Sequence, residues 1–506
     1  MTVNSWEAKL KEFKEYVKRI THYNEAIGLM YWDLRTGAPK KGMAQRSEVI
    51  GTLSGEVFKM TTSEQMEEYI QYLSQPEVEE KLDDISRTMI KECRKEYERS
   101  KKIPQEKYQE YIILTSNSEN AWEEAKEQSN FDLFRPYLEK VIAFNQEFSE
   151  IWGYEGNRYN ALLEYYEPGM TVEKLDVIFS QLKDNIVPLL KEIMDSPNRP
   201  ETGFLQQPFD IEKQKKMIRL VLESIGFDFS GGRIDQSVHP FCTSLNYGDV
   251  RVTTKFYEND LTMGLFSSIH EGGHALYEQS ISRDLVGTLL GTGTSMGIHE
   301  SQSRFWENVV GRSLPFWKFF YPNLVQLFPT PFNEVNVEEF YRAINEVKPS
   351  MIRIEADELT YNLHIIMRYE LEKALLNNEI QVKDLPVLWN DKMREYLGIV
   401  PENDSEGVLQ DVHWSAGLIG YFPSYTLGNI YAAQFLQTMK KELENYEDLI
   451  ASGQFNPLKI WLTQNIYRHG KMLTPSEILL QATGEEADAS CFINYLNEKF
   501  RGIYQI

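Results

Sequence analysis

His270 and His274 enclose Glu271-Gly272-Gly273 in the stretch LTMGLFSSIHEGGHALYEQS, and this spacing constrains the local fold more than any other feature of the chain. Two imidazoles four residues apart reach one metal ion when the segment is an α-helix, which stacks positions i and i+4 on one face. The flanking residues agree. Asp260 reads as an N-cap, and Leu261, Leu265, Ile269 and Leu276 recur as a helical apolar stripe. Glu271 can then act as a general base toward a water held beside the metal. Gly272 and Gly273 break the rule that helix interiors avoid glycine, each costing about 1 kcal/mol. Their pairing predicts that another element approaches this helix closely.

A catalytic zinc takes three protein ligands and keeps a fourth position open, so one ligand lies outside the motif. Ser280 occupies the place where a third histidine of the metzincin type would stand. Glu278 is on the right face but two turns from His270, too far along the axis to complete a tetrahedron. Glu300, in GTGTSMGIHESQSRFWENVVG, is the favoured ligand, with His299 as its rival. There a glycine-rich loop leads into a second helix that can pack on the first. Glu307, on the same face as Glu300, could orient a ligand through a hydrogen bond, or be a surface charge.

The rest of the chain predicts the body that carries this site. Trp6, Leu10, Phe13, Val17 and Ile20 make residues 1 to 20 an amphipathic helix of the mature fold and not a signal peptide. Val78, Leu82, Ile85, Met89, Cys93 and Tyr97 form one core stripe. Leu175, Ile178, Phe179, Leu182 and Ile186 form another, which Pro188 kinks or stops. SPNRPETGFLQQPF, residues 196–209, is a proline- and glycine-rich crossover joining a helical half at 1–195 to a metal-site half at 210–506. The whole is expected to be one peptidase domain. Val250, Val252, Thr254 and Phe256 alternate with polar residues after the turn signal Asn246 to Asp249. They predict a small antiparallel hairpin just before the metal helix. A peptide could pair with such an edge, or the hairpin could be purely structural.

A net charge of −23 argues against nucleic acid or an anionic membrane surface as partner, and no uncharged apolar run has transmembrane length. Cys93, Cys242 and Cys491 lie far apart, which suits a reducing compartment. Cytoplasm is the expected location. Two further clusters stand out. His413, Trp414, Tyr421 and Tyr425 lie between glycines in GVLQDVHWSAGLIGYFPSYTLGN, and histidine or tyrosine donors can hold the oxyanion of a tetrahedral intermediate. Arg353, Glu355, Asp357 and His364 share one segment, where Arg353 is either a clamp for a substrate carboxylate or half of an ion pair with Asp357.

In order along the chain stand HPF at His239 to Phe241, D-x-R-x-T at Asp249 to Thr253, HEGGH, HES at His299 to Ser301, IRxxAD at Ile352 to Asp357, and GxxQDxHW at Gly407 to Trp414. Tyr31-Trp32-Asp33, Pro39 and Arg46 precede them. In these marks the chain resembles the carboxypeptidase Taq family of metallocarboxypeptidases over most of its length. The resemblance implies a mostly α fold: one helical body with a deep central groove and a small antiparallel sheet, shared in outline with neurolysin and angiotensin-converting enzyme. It implies zinc on His270, His274 and Glu300, with Co2+ or Mn2+ as possible substitutes, and Glu271 as general base. It also implies release of single residues from free peptide C-termini with broad tolerance, by a cytoplasmic homodimer. The pair twelve residues apart that holds the oxyanion in related helical peptidases corresponds to His413 and Tyr425, with Tyr421 less favoured.

From these assignments Arg353 and Arg251 anchor the terminal carboxylate, because a guanidinium fork fits a free carboxylate and an internal peptide bond offers no such partner. The hairpin with His239-Pro240-Phe241 and Arg251 is expected to close one end of the groove, so that only the last residue passes the metal. Two other functions fit the same motif: an endo-oligopeptidase with this metal site, and a helical binding protein with a structural zinc. An intact Glu271 argues against the second.

Overall fold

The amphipathic pattern at the start becomes α1 (Trp6–Thr36) in the computed structural model, which describes residues 6–506; residues 1–5 of that reading lie outside the described residues. Phe13, Val17 and Ile20 are buried as the periodicity requires. The stripe from Val78 to Tyr97 is core, but it belongs to two helices, Pro76–Glu79 and Asp84–Lys102. Asp83 starts the second by accepting the Ser86 N–H at 2.7 Å, a capping signal that the apolar periodicity masks. Pro188 does not stop its helix: α2 runs Val172–Asp195 straight through it. Tertiary burial of Leu182, Ile186, Leu189 and Leu190 outweighs the hydrogen bond that proline removes.

Beyond the crossover, the expected hairpin is present and is part of a larger sheet. β1 (Gly232–Gln236), β2 (Cys242–Asn246) and β3 (Asp249–Thr254) are ordered β1-β3-β2. β2 and β3 pair antiparallel, with Asn246 accepting the Gly248 N–H at 2.9 Å in the turn. β1 pairs with β3 in parallel, so the sheet is mixed and not wholly antiparallel. Val250 and Val252 are fully buried beneath it.

The sheet feeds α3 (Leu261–Gln279), whose N-terminus Asp260 caps by accepting from Thr262 and Met263. α4 (Met296–Arg304) follows the glycine-rich loop and passes into a π-helical turn, Phe305–Val310. Two long helices complete the surroundings of the site, α5 (Tyr361–Leu376) and α6 (Pro423–Glu442). A single hydrophobic cluster extends from Phe13 to Tyr504 and draws on both halves of the chain. Among the described residues no helix is long and apolar enough to cross a membrane, and all three cysteines are free.

Candidate metal centre and peptide groove

Close packing places Glu300, the favoured third ligand, beside the two histidines. A Cβ on Gly273 would lie 2.5 Å from the Gln302 carbonyl oxygen and 2.7 Å from Ser303 Cα, so α4 rests its backbone on α3 at the glycine predicted to permit it. Gly272 gives the same clearance to Leu222. On the opposite side, a Cβ on Gly428 of α6 would strike the Glu300 side chain at 2.6 Å. α4 is therefore held between two glycines, and Glu300 is aimed at the histidines. Its Oε2 lies 3.6 Å from His270 Nε2 and 3.5 Å from His274 Nε2.

The ring nitrogens turned away from this point are occupied. His270 Nδ1 is 2.9 Å from Glu307 Oε2, in the π turn. His274 Nδ1 is 2.6 Å from His299 Nδ1, and His299 Nε2 is 2.9 Å from Glu278 Oε1. Glu278 also accepts the Gly293 N–H at 3.0 Å. His299, the rival ligand, and Glu278 thus form a relay behind His274 and do not face the point where His270, His274 and Glu300 converge. Both Nε2 lone pairs are left for a cation, which is the tautomer a metal requires. The three groups converge within 4.8 Å, with the groove as the open side, so the donor set suits a three-ligand catalytic zinc.

Electrostatics follow from burial and neighbours. Burial would raise the Glu300 carboxyl, but Arg304, His270 and His274 outweigh it and hold it well below its usual range. Burial pushes His274 down to about 4, with His299 and His270 adding to the effect against Glu300. Burial lowers His270 less than Glu300 and Glu307 raise it. Glu271 is pushed up to about 7 by burial above all. Removing either relay should therefore loosen the metal without touching a ligand. Glu307→Gln and His299→Phe are each expected to weaken metal binding by about 10- to 100-fold in competition with a chelator. A change under about twofold in both would show that the relays do not orient the histidines.

The centre opens into a groove of about 1700 Å³ whose walls include Glu271, His239, Phe241, Arg353, Tyr421 and Tyr425. β2 is the edge strand on this side of the sheet, and its half-buried Cys242 and Ser244 line the groove. Thr253 fixes the HPF segment: its Oγ1 accepts the Phe241 N–H at 2.9 Å and the Ser237 hydroxyl at 2.7 Å. Burial raises the phenols of Tyr421, to about 12, and of Tyr425, well above 10, so both keep their protons at neutral pH. His413 stands behind Tyr425, its Nε2 3.1 Å from the Tyr425 hydroxyl, and is nearly buried. Burial drives its pKa down to about 4, so it is neutral.

Two sequence expectations need correction. Arg353 forms no ion pair with Asp357, whose carboxylate instead accepts the backbone N–H groups of Leu359, Thr360 and Lys348. Its partner is Asp411, reached from Nε at 3.0 Å and Nη2 at 2.7 Å, while Nη1 donates to Tyr361 at 2.9 Å. Arg251 lies outside the groove. It is forked onto Asp249 at 2.7 and 2.8 Å and lines a separate cleft of about 820 Å³ between α1 and the sheet. The side chains of a strand alternate between faces, and β3 turns Arg251 toward α1. Trp32, edge-on to Phe241 at 5.4 Å, divides that cleft from the groove. Sequence reasoning had no signal for Asp411 as the partner of Arg353, or for the Glu278 relay, since each depends on distant packing.

A family model described as Carboxypeptidase Taq (M32) metallopeptidase matches residues 12–500. Carboxypeptidase 1 of Bacillus subtilis (strain 168) is 50% identical over 507 residues, covering 100% of both chains. Thermostable carboxypeptidase 1 of Thermus thermophilus is 40% identical, covering 98% of this chain and 99% of its own. The crystal structure of an M32 carboxypeptidase from Deinococcus radiodurans R1 superposes with a TM-score of 0.96 at 35% identity, covering 99% of this chain and 100% of that one.

Proposed function

The chain belongs to the carboxypeptidase Taq (M32) metallopeptidase family and is a metallocarboxypeptidase, and from that premise we propose that it is zinc-dependent and releases single residues from peptide C-termini with broad side-chain tolerance. The observation that carries this reading is the convergence of His270, His274 and Glu300 beside Glu271, in a groove that also presents a buried arginine. Cobalt or manganese could replace zinc on the same ligands. The reading treats 1–506 as one peptidase domain, acting in the cytoplasm as a homodimer on peptides and not on nucleic acid or membranes.

His270, His274 and Glu300 would hold the zinc, which would supply Lewis acidity toward the scissile carbonyl and the attacking water. The chain's own residues do the rest. Glu271 takes a proton from the water at one carboxylate oxygen and hands it to the leaving amine. Its raised pKa makes it a better base than an exposed glutamate would be. Tyr425, with Tyr421 beside it, donates its O–H to the developing oxyanion; His413, expected from the sequence to share that contact, is not among the groove-lining residues, has its Nε2 on the Tyr425 hydroxyl and steadies it from behind. Arg353 meets the terminal carboxylate with the N–H groups that Asp411 and Tyr361 leave free. Arg251 has no part in that contact in this arrangement. The edge of β2 offers main-chain groups to an extended substrate.

The test is one peptide with a free and with an amidated C-terminus. The free form should be shortened one residue at a time and the amide left almost intact. Equal cleavage of both would favour an endo-oligopeptidase on the same metal site. The stop at the end of the groove is assigned to the HPF segment. Phe241→Ala should release some products two or more residues long, whereas Arg251→Ala, behind Trp32, should keep single-residue steps. The opposite pattern in a peptide-ladder assay would return the stop to Arg251.

A further inference from the structure

We propose that Arg368, which lines no part of the groove, determines how strongly Arg353 prefers a carboxylate. The inference rests on the reading of Arg353 as the carboxylate anchor. Arg368 lies in α5 and is fully buried. Its Nε donates to Asp411 Oδ2 at 2.7 Å, and its Nη2 lies 2.6 Å from the same oxygen. Arg353 uses only the other oxygen, Oδ1, for both of its contacts to Asp411. One carboxylate is thus divided between two guanidinium groups. Neither arginine receives the two-oxygen fork that would satisfy it fully.

The charge count matters as much as the geometry. Two buried arginines face one aspartate. The neighbouring histidines add no negative charge and are neutral, since burial and the two arginines push both His364 and His413 down. The other acid near Arg368 is Glu372, one turn along α5. Its oxygens accept from the Tyr159 hydroxyl, the Trp414 indole and the Gly420 N–H and not from Arg368, and burial pushes its pKa up to about 7, so its charge offsets Arg368 only in part. Trp389 lies against the Arg368 guanidinium at 4.5 Å and excludes water from it. The cluster behind Arg353 therefore keeps a surplus of positive charge in a poorly screened place.

That surplus has one outlet among the described residues: Arg353, which faces the groove with N–H groups to spare. A substrate carboxylate arriving there completes the neutralisation. Without Arg368, Asp411 would be free to turn both oxygens onto Arg353, which would then meet the substrate already satisfied. Arg368 is accordingly a specificity-determining residue that acts through Arg353.

The test compares inhibition by an N-acetyl amino acid with inhibition by its primary amide. The ratio of the two inhibition constants measures carboxylate preference. R353M should abolish the preference. R368M should cut it by about five- to tenfold, mostly by weakening the acid, while R368K, which keeps charge and a donor on Oδ2, should stay within about twofold of wild type. A purely structural role for Arg368 would move acid and amide together. If R368M keeps the wild-type ratio while R353M loses it, the inference is overturned and the anchor reading stands. If R353M also keeps the ratio, the anchor reading itself fails. Should R368M not fold, R368Q, which retains a donor on Oδ2 without the charge, is scored by the same outcomes.

Discussion

Glu271→Gln keeps a full complement of metal and loses hydrolysis by about 10²- to 10⁴-fold. Glutamine has the same shape but no basic oxygen to take a proton, and Glu271 is not among the converging ligands. Glu300→Ala should lose both metal and activity, because it removes one of the three proposed ligands, the carboxylate that Arg304 holds in place. The pH profile offers a second check. Burial raises the folded Glu271 carboxyl to about 7, so the proton must leave before the group can act. Activity should therefore rise with pH on the acid limb, and a bound cation will draw that limb lower. In Glu271→Gln the limb should vanish from the residual activity. A fully metallated Glu271→Gln within about tenfold of wild type would falsify the assignment of the base.

The next largest effect is expected at Arg353. Losing a charge-assisted hydrogen bond to substrate costs about 1.5–3 kcal/mol, which is about ten- to a few-hundredfold in kcat/KM. Arg353→Ala should show that loss on free peptides and far less on any residual cleavage of amidated ones. Stability should fall too, since a buried ion pair is opened, but Asp411 retains Arg368 and is not left unpaired. Stability and specificity are thus read separately. A lower Tm with equal losses on both peptides would make Arg353 a structural residue. A loss confined to free peptides makes it the anchor.

Local rules carried the sequence reading a long way. The helix of the two histidines followed from an i,i+4 spacing, a capping aspartate and an apolar stripe, all within about twenty residues. The close approach at Gly273 was legible because a helix tolerates such a residue only for a reason. Glu300 was favoured by its glycine-rich approach loop, and the ordered motifs supplied the family and the mostly helical fold. What escaped was non-local. β1 reads Gly-Arg-Ile-Asp-Gln, with no clean alternation, and its parallel pairing to β3 is invisible to a hairpin rule. The partner of Arg353 lies 58 residues away, so the nearby Asp357 looked better than it is. Arg251 was placed on the correct strand, but nothing local says which face of a three-stranded sheet looks into the groove.

The two glycine contacts around α4 also decide what can move. With no side chain at Gly273 or Gly428, the backbone of α4 is wedged against α3 on one side and its ligand side chain against α6 on the other. There is no compressible layer in which these helices could slide past one another. Any breathing of the groove that admits a peptide must carry α3, α4 and α6 together as one cooperative unit. Amide protons of those three helices should accordingly exchange as a single slow class, with the metal ligands keeping their mutual distances through every opening of the cleft.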